Sequence, residues 1–167
     1  MIALSGLIQK INAATATAIY LAYAALTGLT LSVIFFVYTS SSIAQVFGLT
    51  AFSFAGLSGF GYVTKRDLGP VGSFCIMGLF GMVGFSLISM FFPSLMTGGA
   101  SFVFSIVGIV VFAGLTAYDT QRIKAMNVGG NVDAGENRKL AIHGALALYL
   151  DFINLFLSLL RLTGRRR

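Results

Sequence analysis

The chain has 167 residues, 57% of them hydrophobic and 10% charged, with a mean hydropathy of +0.91. Soluble domains carry roughly a quarter charged residues, so one unit of this length has too few polar side chains to coat a watered surface and must face lipid instead. The net charge of +6 does not mark a nucleic-acid face, because Arg165, Arg166 and Arg167 supply half of it and the other basic residues fill short gaps between apolar runs.

At 1.5 Å per residue, a bilayer core of roughly 30 Å takes about 20 apolar residues. Five windows of that kind occur in the sequence. At the start, Met1 to Ile8 is apolar and Lys10 follows it, the reverse of the order in a signal peptide. The first window, Ala14 to Val37, is therefore read as a retained span. An uncharged gap, Thr39 to Ser42, leads to the second window, Ile43 to Val63, and Lys65, Arg66 and Asp67 fill the gap after it. The third window, Pro70 to Phe92, places Pro70 in its first turn, where a missing N–H costs nothing, and Pro93 just past its end. After the uncharged gap Pro93 to Ala100 comes the fourth window, Ser101 to Tyr118. Arg122, Lys124, Arg138 and Lys139 occupy the gap before the fifth, Leu140 to Leu162. Within that gap, Met126 to Asn137 is rich in Gly, Asn and acidic residues and lacks EF-hand spacing, so it reads as a flexible cytoplasmic loop.

No window alternates as a strand does. The fold class expected is all-α: a polytopic helical membrane bundle, with four spanning helices plus a fifth C-terminal segment that spans or re-enters, in one integral membrane domain over residues 1–167. Small-residue ridges such as Ala51, Ala55 and Gly59, or Ala113 and Ala117, suit close helix approach. Cys75 is alone in an apolar run, which excludes an intrachain disulfide or a cysteine metal cluster and leaves a packing role.

The charged gaps fall on one side, and by the positive-inside rule that side and the N-terminus are cytoplasmic. A fifth segment that crossed completely would carry Arg165 to Arg167 to the other side, so the charge rule favours one that turns back or stops part-way.

Chemistry is concentrated in two acids inside apolar runs. Asp119 follows Ala117 and Tyr118, and Asp151 lies between Leu148-Tyr149-Leu150 and Phe152-Ile153. An acid within a membrane helix costs about 2.5 to 3.5 kcal/mol on insertion scales, so it faces the protein interior and has a use. For Asp119 the competing reading is a membrane-edge residue neutralised by Arg122, one turn on. Asn154 stands one turn beyond Asp151, Tyr118 immediately precedes Asp119 and Tyr149 lies two residues before Asp151, as hydrogen-bond partners or interfacial anchors. His143 opens the fifth window and is read first as a helix-end packing residue. Helix rise places Asp119 roughly 13 Å from the middle of its window and Asp151 near the middle of its own. Contact therefore requires the fifth segment to be shifted toward the cytoplasm, tilted or broken. If the two carboxyls meet, like-charge repulsion makes double ionisation expensive and the pair shares a proton. Its loss at rising pH favours an opened arrangement, whose carboxylates would hold Ca²⁺ weakly and transiently.

Three stretches carry a resemblance. Phe112-Ala113-Gly114-Leu115-Thr116-Ala117-Tyr118-Asp119-Thr120-Gln121-Arg122-Ile123-Lys124 and Gly144-Ala145-Leu146-Ala147-Leu148-Tyr149-Leu150-Asp151-Phe152-Ile153-Asn154-Leu155-Phe156 resemble signatures of the Bax inhibitor-one family, as does the turn Gly61-Tyr62-Val63-Thr64-Lys65-Arg66-Asp67-Leu68. The resemblance implies a helical membrane fold, a pH-sensitive aspartate pair at Asp119 and Asp151, and Ca²⁺ leak in some members, with roles in stress and cell survival. Family members usually have a further pair of helices before the segment matching Ala14 to Val37, with an arginine that assists the aspartates, so this chain departs from the pattern at its beginning.

Paired membrane aspartates also serve intramembrane aspartyl proteases. Those carry Gly-x-Gly-Asp at the second acid, where this chain has Leu148-Tyr149-Leu150-Asp151, and no Walker motif, zinc-type pair or Ser/His/Asp set is present. The expectation is a non-enzymatic multi-pass protein of a bacterial inner membrane, with lipid and Ca²⁺ or another cation as partners, no nucleic acid and no tightly bound cofactor. It leaks cations through a gate formed by Asp119 and Asp151. The alternative is a non-conducting regulator that binds membrane quality-control or stress-response proteins.

Overall fold

The computed structural model describes residues 13–128 and 134–165. Helices α1 (Ala13–Leu31) and α2 (Ile34–Val37) together make a first membrane span, followed by α3 (Ser40–Val63) and α4 (Gly69–Phe91). A single 3₁₀ turn at Pro93–Met96 leads to α5 (Gly99–Val128), and α6 (Ala134–Thr163) completes the bundle. No strand occurs among the described residues, and five spans are long and apolar enough to cross a membrane, so the protein is an all-α polytopic bundle.

The helix boundaries follow local chemistry. Between α1 and α2, hydroxyls bond back to the backbone, Thr27 to Tyr23 O at 2.8 Å, Thr30 to Leu26 O at 2.9 Å and Ser32 to Leu29 O at 2.6 Å. Such bonds bend helices, and the chain breaks at Ser32 and Val33. Asp67 Oδ1 accepts from Gly69 N at 2.8 Å, capping the start of α4 with Pro70 in its first turn. Gly98, at φ 59°, takes the left-handed turn into α5 that a side chain would strain. The apolar window ending at Tyr118 does not end α5. No Gly or Pro occurs between Tyr118 and Gly129, so the helix continues through a polar, helix-compatible stretch to Val128. Likewise α6 starts at Ala134, ahead of Leu140. The loop expected at Met126 to Asn137 is thus helical at Met126–Val128 and Ala134–Asn137, and its middle lies outside the described residues, as do Met1 to Ile8, Lys10, Arg166 and Arg167.

The bundle is centred on α5 and α6. Cys75 and Met82 of α4 pack with Val111, Phe112 and Leu115 of α5 and Leu155 of α6. A second cluster joins Tyr38, Ile43 and Val46 to Phe156 and Leu160, and edge-on contacts of Phe47 and Phe54 with Phe152, at ring-centroid distances of 5.5 and 5.4 Å, fasten α3 to α6. Helix α1 rests mainly on α6, leaving Leu21, Leu26 and Leu29 exposed to lipid.

Glycines set the closest approaches. A Cβ at Gly61 would collide with the carbonyl of Ala117, and one at Gly72 would lie 2.5 Å from the ring of Tyr118. In lipid, where water does not drive helices together, such approaches are a main source of packing energy. Of the expected ridges, Ala117 is buried against α3, but Gly59 faces open space and Ala55 is exposed, so the Ala51-Ala55-Gly59 stripe does not form a seam. The Gly61 face, turned away from that stripe, makes the contact.

The fifth segment corrects the charge-rule expectation. Helix α6 is continuous for 30 residues. Its C-terminal end is tied to the start of α3, with Thr39 N donating to Arg165 O at 3.1 Å and Arg165 N to Ser42 Oγ at 2.9 Å. Arg165 therefore lies at the end opposite Lys65 and Arg66. Burial of Leu155, Phe156 and Leu160 along an unbroken apolar helix outweighs the charge bias of a terminal residue that remains in water.

Gly61→Val should lower the thermal unfolding midpoint in detergent by the equivalent of about 1 to 3 kcal/mol through overpacking. Gly59→Ala, whose Cβ meets nothing within 4 Å, should leave the midpoint unchanged.

Candidate functional site

The site is built by the antiparallel packing of α5 on α6. Gly108 touches Ser158 near one end of the pair and Gly144 touches Ile123 near the other. This register sets Asp119 opposite the turn of α6 that carries Asp151, and brings the two carboxyl groups close to one another. A carboxylate only accepts, so a hydrogen bond between two carboxyls requires that one of them hold a proton. Asp151 is only 5% exposed, and its buried Oδ2 has no hydrogen-bond partner among the described residues. A proton on one of the two carboxyls would let Asp119 supply the bond that this oxygen lacks.

The depth mismatch inferred from the apolar windows disappears because those windows are not the helices. Both α5 and α6 have 30 residues, about 45 Å of rise each, and the polar extension of α5 carries Asp119 inward from its end. Contact needs neither a break nor a re-entrant turn in α6. By helix rise the pair lies about 8 Å from the level of Lys124 and about 20 Å from that of Arg165, nearer the end that holds the charged gap.

The surrounding residues take different parts from those expected. Arg122 is exposed and reaches Asp119 through its field rather than through a close ion pair, and His143, half-buried, also lies within electrostatic range of Asp119. Asp119 is itself half-buried, so it is neither a solvent-facing edge residue nor simply neutralised by Arg122. Asn154 Nδ2 donates to Leu150 O at 2.8 Å, spending its amide on its own helix rather than on Asp151. The ring of Tyr118 covers Gly72, which makes it a spacer between α5 and α4. Tyr149 is half-buried on α6, two residues before Asp151.

Three further residues lie on the helices around this site, of which Ser58 and Gln121 carried no reading from the sequence. Cys75, buried against Gly114, lies within electrostatic range of Asp151. Ser58 Oγ on α3 is buried without a hydrogen-bond partner. Gln121, two residues after Asp119, accepts from Leu68 N at 2.9 Å and donates to Arg66 O at 2.8 Å. Its signal was an amide in the polar extension of α5, at a spacing that turns it away from Asp119. Among the described residues, no set of three or more His, Cys, Asp or Glu side chains converges as a metal site. A cation here would meet two carboxylates and neutral oxygens, a donor set suited to passing contact with a hard ion.

Asp151→Leu should lower the thermal midpoint by the equivalent of about 1 to 3 kcal/mol, since it strands the Asp119 carboxyl. Asp151→Asn, which still offers a hydrogen bond, should stay near wild type; equal losses for both variants would rule out the contact.

Comparison with known sequences agrees with this architecture. The family model described as inhibitor of apoptosis-promoting Bax1 matches residues 1–167. A Borreliella burgdorferi protein of uncharacterized function is 51% identical over 165 residues, covering 99% of this chain and 70% of its own. The inner membrane protein YbhL of Escherichia coli is 48% identical over 170 residues, covering 100% and 70%. An uncharacterized membrane protein of Streptococcus pyogenes is 42% identical over 161 residues, covering 96% and 68%.

Proposed function

The chain belongs to the Bax inhibitor-one family, and from that premise we propose that it is a multi-pass inner-membrane protein through which a cation, Ca²⁺ first among candidates, leaks when the proton shared by Asp119 and Asp151 is lost. The observation that carries this reading is the close approach of two acids between membrane-spanning helices, with Asp151 buried. While the proton is present, the bond holds α5 against α6. Once it leaves, two like charges face each other in low dielectric and repel, the helices part, and the freed carboxylate oxygens offer a hard cation a brief stop. The protein on this reading is a passive, non-enzymatic leak, with the bilayer and the cation as its partners.

Its orientation follows from the ends of the bundle. Gln121 and Lys124 bond to the turn bearing Lys65 and Arg66, so Arg122 and Lys124 gather with them at one end. The positive-inside rule makes that end cytoplasmic. On this reading the first span starts from the cytoplasmic side and Arg165 lies across the membrane. The name of the Escherichia coli relative supports an inner-membrane location.

Purified protein in vesicles containing a Ca²⁺ dye tests the reading. Efflux should be lowest at acidic pH and rise with pH, by at most about tenfold per unit because one proton controls opening. Asp119→Asn and Asp151→Asn should flatten that rise. Absent flux at every pH would reject the leak and leave a non-conducting regulator, a reading favoured by the lipid-exposed face of α1, which could receive a partner helix.

A further inference from the structure

The end of the bundle nearest the acids is closed by side chains of α5 that bond to the backbone of the α3–α4 turn. Gln121 is the centre of this arrangement. Its Nε2 donates to Arg66 O at 2.8 Å while its Oε1 accepts from Leu68 N at 2.9 Å, so one amide grips the turn in both directions. One turn along, Lys124 Nζ donates to Tyr62 O at 2.7 Å and stands 4.6 Å from the centroid of the Tyr62 ring. One turn back, the Ala117 backbone meets Gly61. Ala117, Gln121 and Lys124, spaced by four and three residues, form one face of α5.

These bonds fill needs the turn cannot meet alone. Tyr62 O is among the last carbonyls of α3, and Leu68 N caps α4; such terminal groups lack intrahelical partners. The same stretch of α5 presents Asp119 to α6. A displacement of α5 that separates Asp119 from Asp151 must either drag the turn along or break the grip of Gln121.

We infer that Gln121 is a latch, a positioning residue that holds the Thr64–Leu68 turn against α5 and keeps this end of the bundle closed until the acid pair opens. The inference rests on the proposed leak for its physiological meaning, but the latch itself is a mechanical claim. Among the described residues, Cys75 of α4, Arg122 of α5 and His143 of α6 lie within electrostatic range of the acid pair; Tyr118 of α5 and Tyr149 of α6 are next to it in sequence, and Tyr62 of α3, Lys124 of α5 and Lys65, Arg66 and Asp67 of the turn stand by the latch.

Hydrogen exchange of the full chain in lipid nanodiscs, followed at Thr64–Leu68, decides the matter together with vesicle flux. At acidic pH, Gln121→Ala removes two hydrogen bonds and should speed exchange in the turn by about tenfold, with Gln121→Glu, which keeps the acceptor for Leu68 N, in between. Ca²⁺ efflux at acidic pH should rise several-fold toward the wild-type alkaline rate. Corrected for intrinsic exchange, the wild-type turn should lose protection between acidic and alkaline pH, and Asp151→Asn should keep it. Unchanged turn exchange in Gln121→Ala overturns the latch, as does faster exchange with efflux still at the wild-type acidic level in a protein that leaks at alkaline pH. A wild type that leaks at no pH overturns the proposed function instead. The latch then stands if the turn loses protection with pH and Asp151→Asn prevents it, and falls if either fails.

Discussion

Everything in this bundle is arranged around two acids brought close enough that a shared proton would bond them. Asp119 and Asp151 meet between two membrane-spanning helices, and a pair of bare carboxylates could not remain in contact there without a counter-charge. The bilayer raises the stakes, because water cannot screen the repulsion. Around the pair, Arg122 stays exposed and Asn154 turns back to its own helix.

Packing makes that bond possible. Gly108 and Gly144 let α5 and α6 approach in a register that lines up acids 32 residues apart in sequence, while Gly61 and Gly114 admit α3 and α4 against the other faces of α5. Helix α5 is therefore the member that every other spanning element of the core touches, and a small shift in it is felt at the acid pair and at the α3–α4 turn together. Sub-ångström shifts can become discrete transitions in such a setting because packed interfaces resist continuous deformation. At the far end, the bonds between Thr39, Ser42 and Arg165 fix α6 to α3 without charged side chains. The two ends differ in kind: one is held by an amide and an ammonium on backbone carbonyls, the other by backbone and a serine hydroxyl.

The helical membrane fold was legible because composition and apolar run length report directly on the solvent a surface must face. The acids were legible because charge inside an apolar run is costly enough to demand a purpose. Their pairing was harder to read: Asp119 looked misplaced in depth only because an apolar window was taken for a helix, whereas α5 runs on through Gln121 to Val128 until glycine is reached. The path of α6 was misread for a related reason. A rule about charges in loops carries no information about Leu155 and Leu160, whose burial holds the helix across the bundle. Gln121 escaped notice because an amide among lysines and arginines has no periodic or compositional signature, and its partners lie more than 50 residues away on backbone atoms. Which small-residue face becomes a seam, Gly61 rather than Gly59, is likewise decided by rotation about the helix axis, which spacing alone leaves open.

The most direct test is a double-mutant cycle on unfolding free energy at acidic pH, combining Asp119→Leu with Asp151→Leu. Side chains in contact show coupling of about 0.5 to 3 kcal/mol, whereas distant ones add. The contact predicts that the double variant loses less stability than the sum of the two single losses, because the second substitution removes a group already left without its partner. Strict additivity would mean that the two carboxyls do not touch, and the proton-dependent hold between α5 and α6 would have no physical basis.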